Sequence, residues 1–289
     1  MLPSAYRIPR MFGIDSEQDI KLYSAVIRNF FNYVLQHAVC PEYTQDVMAA
    51  RKICDLAEKE LWAIKRLQQK LPGDFNVAAS TLYGGRYKGI HISNSPWAAD
   101  DPNSGDFVSL GFSDPQAERI FKTAIAFAGD DALFVEAMKP DIHIVRTETK
   151  SYEVVDIVRP DVKRVEEYSS VRNHKGETGF IKPLGVIHFK EWEGPGLEEE
   201  DVSDDEGAKQ VPDLNGPTYP FWLEDEILQL CFVGLKLELV VHQLNIGIPF
   251  FDSIVGIYPS FHTYLLNEKM VNWKETGKSR YQTWKRSQH

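Results

Sequence analysis

Apolar residues recur every three or four positions through the first quarter of the chain, which is the period of an amphipathic α-helix. Ser16 precedes this pattern and acidic residues follow it, as expected at a helix N-terminus, where they interact favourably with the helix dipole. Pro41 can begin a second helix, because its missing N–H would have no partner in a first turn. That second pattern extends to Pro72-Gly73. Because the connection is short, the sequence predicts an antiparallel helical hairpin.

Beyond the hairpin, the pattern predicts a long loop, then helices and strands without regular alternation. Ser113 is placed to cap a further helix that ends at Gly129, and a short helix follows it. We therefore predict a single α+β domain over residues 1–289, with the hairpin first, a central mixture of helix and short strands, and C-terminal helices. The segments are a loop at 72–106, a helix at 131–138, strands at 107–112, 142–146, 152–158 and 186–192, and helical patterning at 221–244 and after Pro259.

The formal net charge of −10 comes mainly from one segment. Residues 193–206 hold eight acidic side chains and no basic one, so the rest of the chain has 34 acidic against 32 basic residues. Like charges and a lack of apolar residues predict a disordered acidic insertion at 193–217. Ser203, followed by three acidic residues, suits an acid-directed kinase and is a candidate phosphorylation site. The nearly neutral remainder does not exclude contact with nucleic acid.

Cysteine usage and hydropathy bear on the compartment. Cys40, Cys54 and Cys231 have no paired spacing, which argues against a secreted disulfide framework. No signal-peptide pattern follows Met1, and no apolar run approaches the roughly 18–20 residues that span a bilayer. His37 and Cys40 have the spacing of metal ligands, but nothing completes a set of about four. We expect a soluble intracellular protein with no membrane partner, no metal and no cofactor.

The sequence gives little support for a catalytic site. No nucleophile elbow is present, although eight histidines leave a chance Ser/His/Asp set open. Paired acids at 58/60, 166/167 and 224–226 are more typical of solvated helix faces than of general acid–base catalysis. The Gly84–Gly89 segment departs from both phosphate-binding glycine patterns, so a tight loop packed by its tyrosines is the simpler interpretation. Arg86, Tyr87 and Lys88 still form a candidate site for a phosphate or a partner carboxylate.

The C-terminal segment combines positive charge with aromatic rings. Cations contact phosphates, and flat rings stack on bases or fill protein pockets. An ordinary terminal helix that completes the core explains the same pattern equally well. The candidate partner- or RNA-binding residues here are Trp273, Lys278, Arg280, Tyr281, Trp284, Lys285 and Arg286.

Several segments resemble a known family. HAVCPEY at 37–43, AARKICDLAEKEL at 49–61, LPGDFN at 71–76 and STLYGG at 80–85 carry the resemblance, with a second patch at 249–273. They are similar to the fungal Argonaute-binding subunit of the Argonaute siRNA chaperone (ARC) complex. This resemblance implies a non-catalytic protein that binds Argonaute and restrains slicing or passenger-strand release during siRNA loading. It also implies a role in small-RNA-directed heterochromatin silencing, with the protein in the nucleus and the cytoplasm.

The resemblance also implies the partners: an Argonaute protein, with a second chaperone-complex subunit and duplex siRNA as further candidates. The family offers no catalytic residues to carry over to this chain. Two alternatives stay open at this point: an intracellular hydrolase or transferase with an unrecognised site, and a stand-alone RNA-binding module.

Overall fold

The computed structural model describes residues 16–90, 111–171, 181–192 and 216–262. In these ranges helices occupy the first part of the chain and strands dominate the last part, which confirms the α+β class. The helices are α1 (Glu17–Gln36), a 3-10 turn (Pro41–Tyr43), α2 (Thr44–Lys70), α3 (Asp74–Tyr83), α4 (Asp114–Ala128), α5 (Asp131–Ala137), α6 (Val162–Ser170) and α7 (Asp225–Leu228).

The strands form a five-stranded sheet in which every neighbouring pair is antiparallel. The strands are β1 (Ile144–Val158), β2 (Leu184–Glu191), β3 (Tyr219–Glu224), β4 (Lys236–Leu244) and β5 (Pro249–Tyr258). Their spatial order is β3-β2-β1-β4-β5, so the longest strand, β1, lies in the centre.

The N-terminal hairpin is confirmed. Arg28 of α1 contacts Glu58 of α2, whereas Asn32, one turn further along α1, bonds Arg51, which lies earlier in α2. Contacts that advance along one helix and retreat along the other define an antiparallel pair. Ser16 caps α1 through a reciprocal capping box, as its position predicted.

The predicted C-terminal helices are wrong over residues 221–244. This stretch forms β3, the single turn α7 and β4. Leu235, Leu237, Leu239 and Val241 are buried at every second position, which is the period of a strand. Leucine, lysine and glutamate favour helices, and here tertiary packing overrides that preference. The helix predicted after Pro259 lies almost wholly outside the described residues.

The predicted loop at 72–106 is also wrong in its first part, where α3 forms. Both sides of α3 are buried, since Phe75 and Ala79 lie on one side, Ser80 and Thr81 lie on the other, and all four are at most 2% exposed. No exposed polar face therefore produced an amphipathic pattern. Two strands predicted at 142–146 and 152–158 are one strand, β1. Of the strand predicted at 107–112, only the last two residues are described, and they are not extended into a sheet.

The sheet is buried on both faces. Phe221 and Leu223 of β3 point into one apolar cluster, and Trp222 between them packs against another. The first cluster contains Ile64 and Leu67 of α2, so the hairpin is anchored on that face. The second cluster is formed with α3, α4, α5 and α6. Helix α3 belongs to the second cluster and contacts both outer strands, β3 and β5.

Candidate partner-binding surface

The outer strands β3 and β5 approach each other across a seam that α3 closes. The Phe221 and Phe251 rings lie 5.9 Å apart, although their strands stand at opposite ends of the sheet order. The buried Asn76 of α3 donates to the carbonyls of Pro72 (2.9 Å) and Trp222 (3.3 Å) and accepts the N–H of Phe251 (3.2 Å). One amide side chain thus joins β3 to β5.

A buried carboxylate holds the first turn of α3. Glu224, at the end of β3, is 2% exposed and accepts the Phe75 N–H at 2.7 Å. Among the described residues its Oε2 atom has no hydrogen-bond partner. Burial raises the pKa of Glu224 to about 7; the Phe75 N–H opposes that rise and the nearby Asp74 adds to it. This carboxyl group therefore titrates near neutral pH.

A second buried carboxylate, Asp252 of β5, holds the last turn of α3 and the loop after it. Its Oδ2 accepts from the Ser80 hydroxyl and from the Arg86 N–H, both at 2.7 Å. The Tyr87 N–H donates to the Ser80 hydroxyl at 3.1 Å. Burial alone would raise the pKa of Asp252, but His242, the Arg86 N–H and the Ser80 hydroxyl together hold it below its usual value.

Two glycines allow the loop to turn this tightly. Gly84 ends α3 in the left-handed conformation, with φ 92° and ψ 22°, which favours glycine. A Cβ at Gly85 would lie 2.3 Å from both Asp252 Oδ2 and Ser80 Oγ. The loop backbone therefore passes directly over its anchors.

This loop presents the first group of candidate residues. Arg86 and Lys88 are exposed, and Tyr87 is half-buried with a pKa that burial raises. The Arg86 guanidinium bonds the Ser253 hydroxyl at 3.2 Å. Tyr83 packs into the apolar cluster, edge-on to the Phe121 ring. The structure thus combines a tethered backbone with outward cations; a binding role for Arg86, Tyr87 and Lys88 stays a prediction.

Thr147, His242 and Asp252 stand in the order of a hydrolase triad, with a hydroxyl, an imidazole and a carboxylate in sequence. Thr147 Oγ1 lies 2.9 Å from His242 Nδ1, and Nε2 of the same ring lies 3.0 Å from Asp252 Oδ1. Thr147 and His242 are directly paired on β1 and β4, so a cross-strand contact explains the first distance. Asp252 already holds the loop through two other hydrogen bonds. The contacts are those of a group that supports the sheet and loop.

The acidic pairs have structural roles as well. Glu60 is buried and accepts from the N–H and hydroxyl of Ser260, which ties α2 to the end of β5. Glu226 pairs with Lys70 and Lys182 near the surface. The expectation that these acids are solvated was therefore wrong for Glu60 and Glu224, because each accepts a backbone N–H inside the fold.

Within the described ranges, no cluster of three or more potential ligands could hold a metal ion. Cys54 is buried, and Cys40 and Cys231 are half-buried, all with free thiols. Across the same ranges, no helix has the length and apolar character needed to cross a membrane.

The remaining candidates lie outside the described residues. They include Ser203 in the acidic segment, which connects the paired strands β2 and β3. The C-terminal candidates are Trp273, Lys278, Arg280, Tyr281, Trp284, Lys285 and Arg286.

Helix α1 has an exposed apolar face that was not predicted from the sequence. Leu22, Val26, Phe30 and Tyr33 are each between 57% and 60% exposed. Their spacing of four, four and three residues places them on one side of the helix. Val26 and Phe30 belong to the periodic pattern that predicted the helix, and periodicity alone does not separate this side from the buried one.

Comparison with known proteins agrees with the resemblance in the sequence. The family described as Argonaute siRNA chaperone (ARC) complex subunit Arb1 matches residues 4–276. The Argonaute-binding protein 1 of Schizosaccharomyces pombe is 23% identical over 256 residues, which cover 89% of this chain and 59% of that protein. The chain thus corresponds to little more than half of that relative's length. No solved structure matches the chain. The family match extends over nearly the whole sequence, so this chain belongs to the Arb1 family of ARC complex subunits.

Proposed function

We propose that this chain is a non-catalytic subunit that binds an Argonaute protein and restrains slicing or passenger-strand release during siRNA loading. The match of residues 4–276 to the Arb1 family supports this proposal most strongly. The name of the S. pombe relative, an Argonaute-binding protein, supports it further. In this role the protein acts in small-RNA-directed heterochromatin silencing, in the nucleus and the cytoplasm.

The proposed partners are an Argonaute protein, a second subunit of the chaperone complex and duplex siRNA. The fold is compatible with a binding role, because buried hydrogen bonds fix the backbone of the Gly84–Lys88 loop while two cations stay exposed. A preorganised surface loses less conformational freedom when a partner binds.

A slicing assay with siRNA-loaded Argonaute tests this function. A binding subunit should reduce slicing in proportion to the complex formed and should reach its full effect near one equivalent. Full inhibition far below one equivalent, with turnover of a substrate, would instead favour a hydrolase or transferase.

Pulldown of purified Argonaute, with and without nuclease, separates direct protein contact from contact through RNA. Retention after nuclease treatment is the expected result. Loss of Argonaute after nuclease, with retention of free RNA by the chain alone, would favour a stand-alone RNA-binding module.

A further inference from the structure

We propose that the exposed apolar face of α1, formed by Leu22, Val26, Phe30 and Tyr33, inserts into an apolar groove of a protein partner. The inference rests on the proposed function, under which that partner is Argonaute. It adds the surface of this chain that makes the contact and the chemistry of the groove that receives it.

Helix α1 has two apolar sides. Ile20, Phe31 and Val34 are at most 8% exposed and face α2, the element against which α1 chiefly packs. The exposed face is turned away from them by roughly a third of a turn, as the helical period dictates. The hairpin therefore uses one side of α1 for its own stability and leaves the other uncovered among the described residues.

The composition of this face differs from that of other exposed apolar residues. Every exposed phenylalanine or tyrosine in the described ranges lies on the hairpin: Phe30 and Tyr33 on α1, and Tyr43 at its tip. Elsewhere in these ranges the exposed large apolar residues have no aromatic ring, as Val135 and Val162 illustrate. Aromatic side chains dominate the energetics of protein interfaces, whereas single exposed valines are ordinary.

The charge distribution favours a protein over a nucleic acid. Seven acidic and eight basic residues lie between positions 17 and 70, so the hairpin is nearly neutral. The two cations of α1 are already paired, Lys21 with Glu17 and Arg28 with Glu58. A surface that binds phosphates needs available cations, and this face has none among its four residues.

The area of the face favours a groove over a second copy of this chain. Exposed fractions near 60% on these four side chains give an apolar patch on the order of 400 Å². A stable symmetric dimer buries about 800 Å² on each partner, so two copies joined through this face alone reach about half of that. A groove encloses the flanks of a helix too, and anchors spaced as these are match that mode of recognition.

The test uses the full chain and purified Argonaute. In the variant V26S/F30S the exposed apolar face loses one aliphatic and one aromatic side chain. Both positions are exposed, so the melting temperature should stay close to that of the wild type. Affinity for Argonaute should fall by at least about 30-fold, as truncation of an aromatic anchor does. The matched control V135S/V162S changes exposed apolar residues elsewhere and should leave affinity unchanged.

Two negative results are distinguishable. If the wild-type chain does not bind Argonaute, the proposed function fails and this inference fails with it. If the wild type binds and V26S/F30S binds equally well, the inference is overturned and the proposed function stands.

A photo-crosslinker identifies the occupant directly. With Phe30→p-benzoylphenylalanine, irradiation of the complex should link position 30 to an Argonaute peptide with apolar residues. A crosslink to a second copy of this chain, or to another segment of the same chain, would overturn the inference.

Discussion

Replacement of Glu224 by glutamine should remove a pH dependence from the stability of this fold. Glutamine keeps an oxygen that can accept the Phe75 N–H, but it cannot ionise. In the native protein, burial raises the pKa of Glu224 to about 7, from an ordinary value of 4.5. A carboxyl group with a raised native pKa stabilises the fold fully below its unfolded pKa, and this contribution is lost as the pH rises through the native value.

The size of the effect follows from that shift. Each pH unit between the two pKa values changes the free energy of unfolding by about 1.4 kcal/mol. From about pH 5 to about pH 8, the free energy of unfolding of the wild type should therefore fall by about 2.5 kcal/mol because of Glu224. E224Q should not show this fall. Urea unfolding across this range, compared between the two proteins, isolates the contribution because their other titrating groups are shared.

The control is E226Q, which alters a neighbouring but more exposed carboxylate. Hydrogen bonds from Lys182 and Lys70 lower the pKa of Glu226. Its stabilising contribution is present above the unfolded pKa and is lost only at lower pH, so E226Q should parallel the wild type over the same range. Parallel curves for E224Q and the wild type would refute the reasoning about Glu224.

Two further pairs of substitutions test the seam and the loop. N76A should destabilise the fold by about 3 kcal/mol in urea unfolding, because buried partners in both outer strands lose their hydrogen bonds. The control T81V loses one hydrogen bond within α3 and should destabilise the fold by less than about 1 kcal/mol. G85A should lower the melting temperature more than G89A, because a Cβ at Gly85 meets two side-chain oxygens. At Gly89 a Cβ meets nothing within 4 Å, and alanine there costs only the strain of the positive φ of 75°. Equal losses would show that the loop can shift.

The sequence was sufficient to predict the type and position of an element where that element is amphipathic and has a recognisable cap. Helices α1 and α4 both begin at a serine with a reciprocal capping box, and both have one apolar side. For these elements the local pattern and the tertiary structure agree, so position and type followed from neighbouring residues.

The sequence was insufficient to predict an element that is buried on more than one side, or a contact that depends on distant residues. Helix α3 looked like a loop because most of its side chains are buried, and β4 looked like a helix because its residue types favour one. The anchors of the loop were not foreseeable, since Ser80 and Asp252 are 172 positions apart. No local pattern links two such residues.

The exposed face of α1 and the loop cations predict different responses of Argonaute binding to salt. Attraction between exposed charges is screened as the Debye length falls from about 10 Å at 0.1 M to about 3 Å at 1 M salt, whereas apolar burial is not weakened by screening. The variant R86A/K88A should therefore bind less tightly at low salt and approach the wild type at high salt. V26S/F30S should lose the same factor at both.

Affinity measured for wild type and both variants at the two salt concentrations decides between these roles. A salt-independent loss in R86A/K88A would mean that the loop acts through packing and not through charge. Unchanged affinity at both concentrations would remove Arg86 and Lys88 from the binding surface, because a cation that contacts a partner must contribute most where screening is weakest.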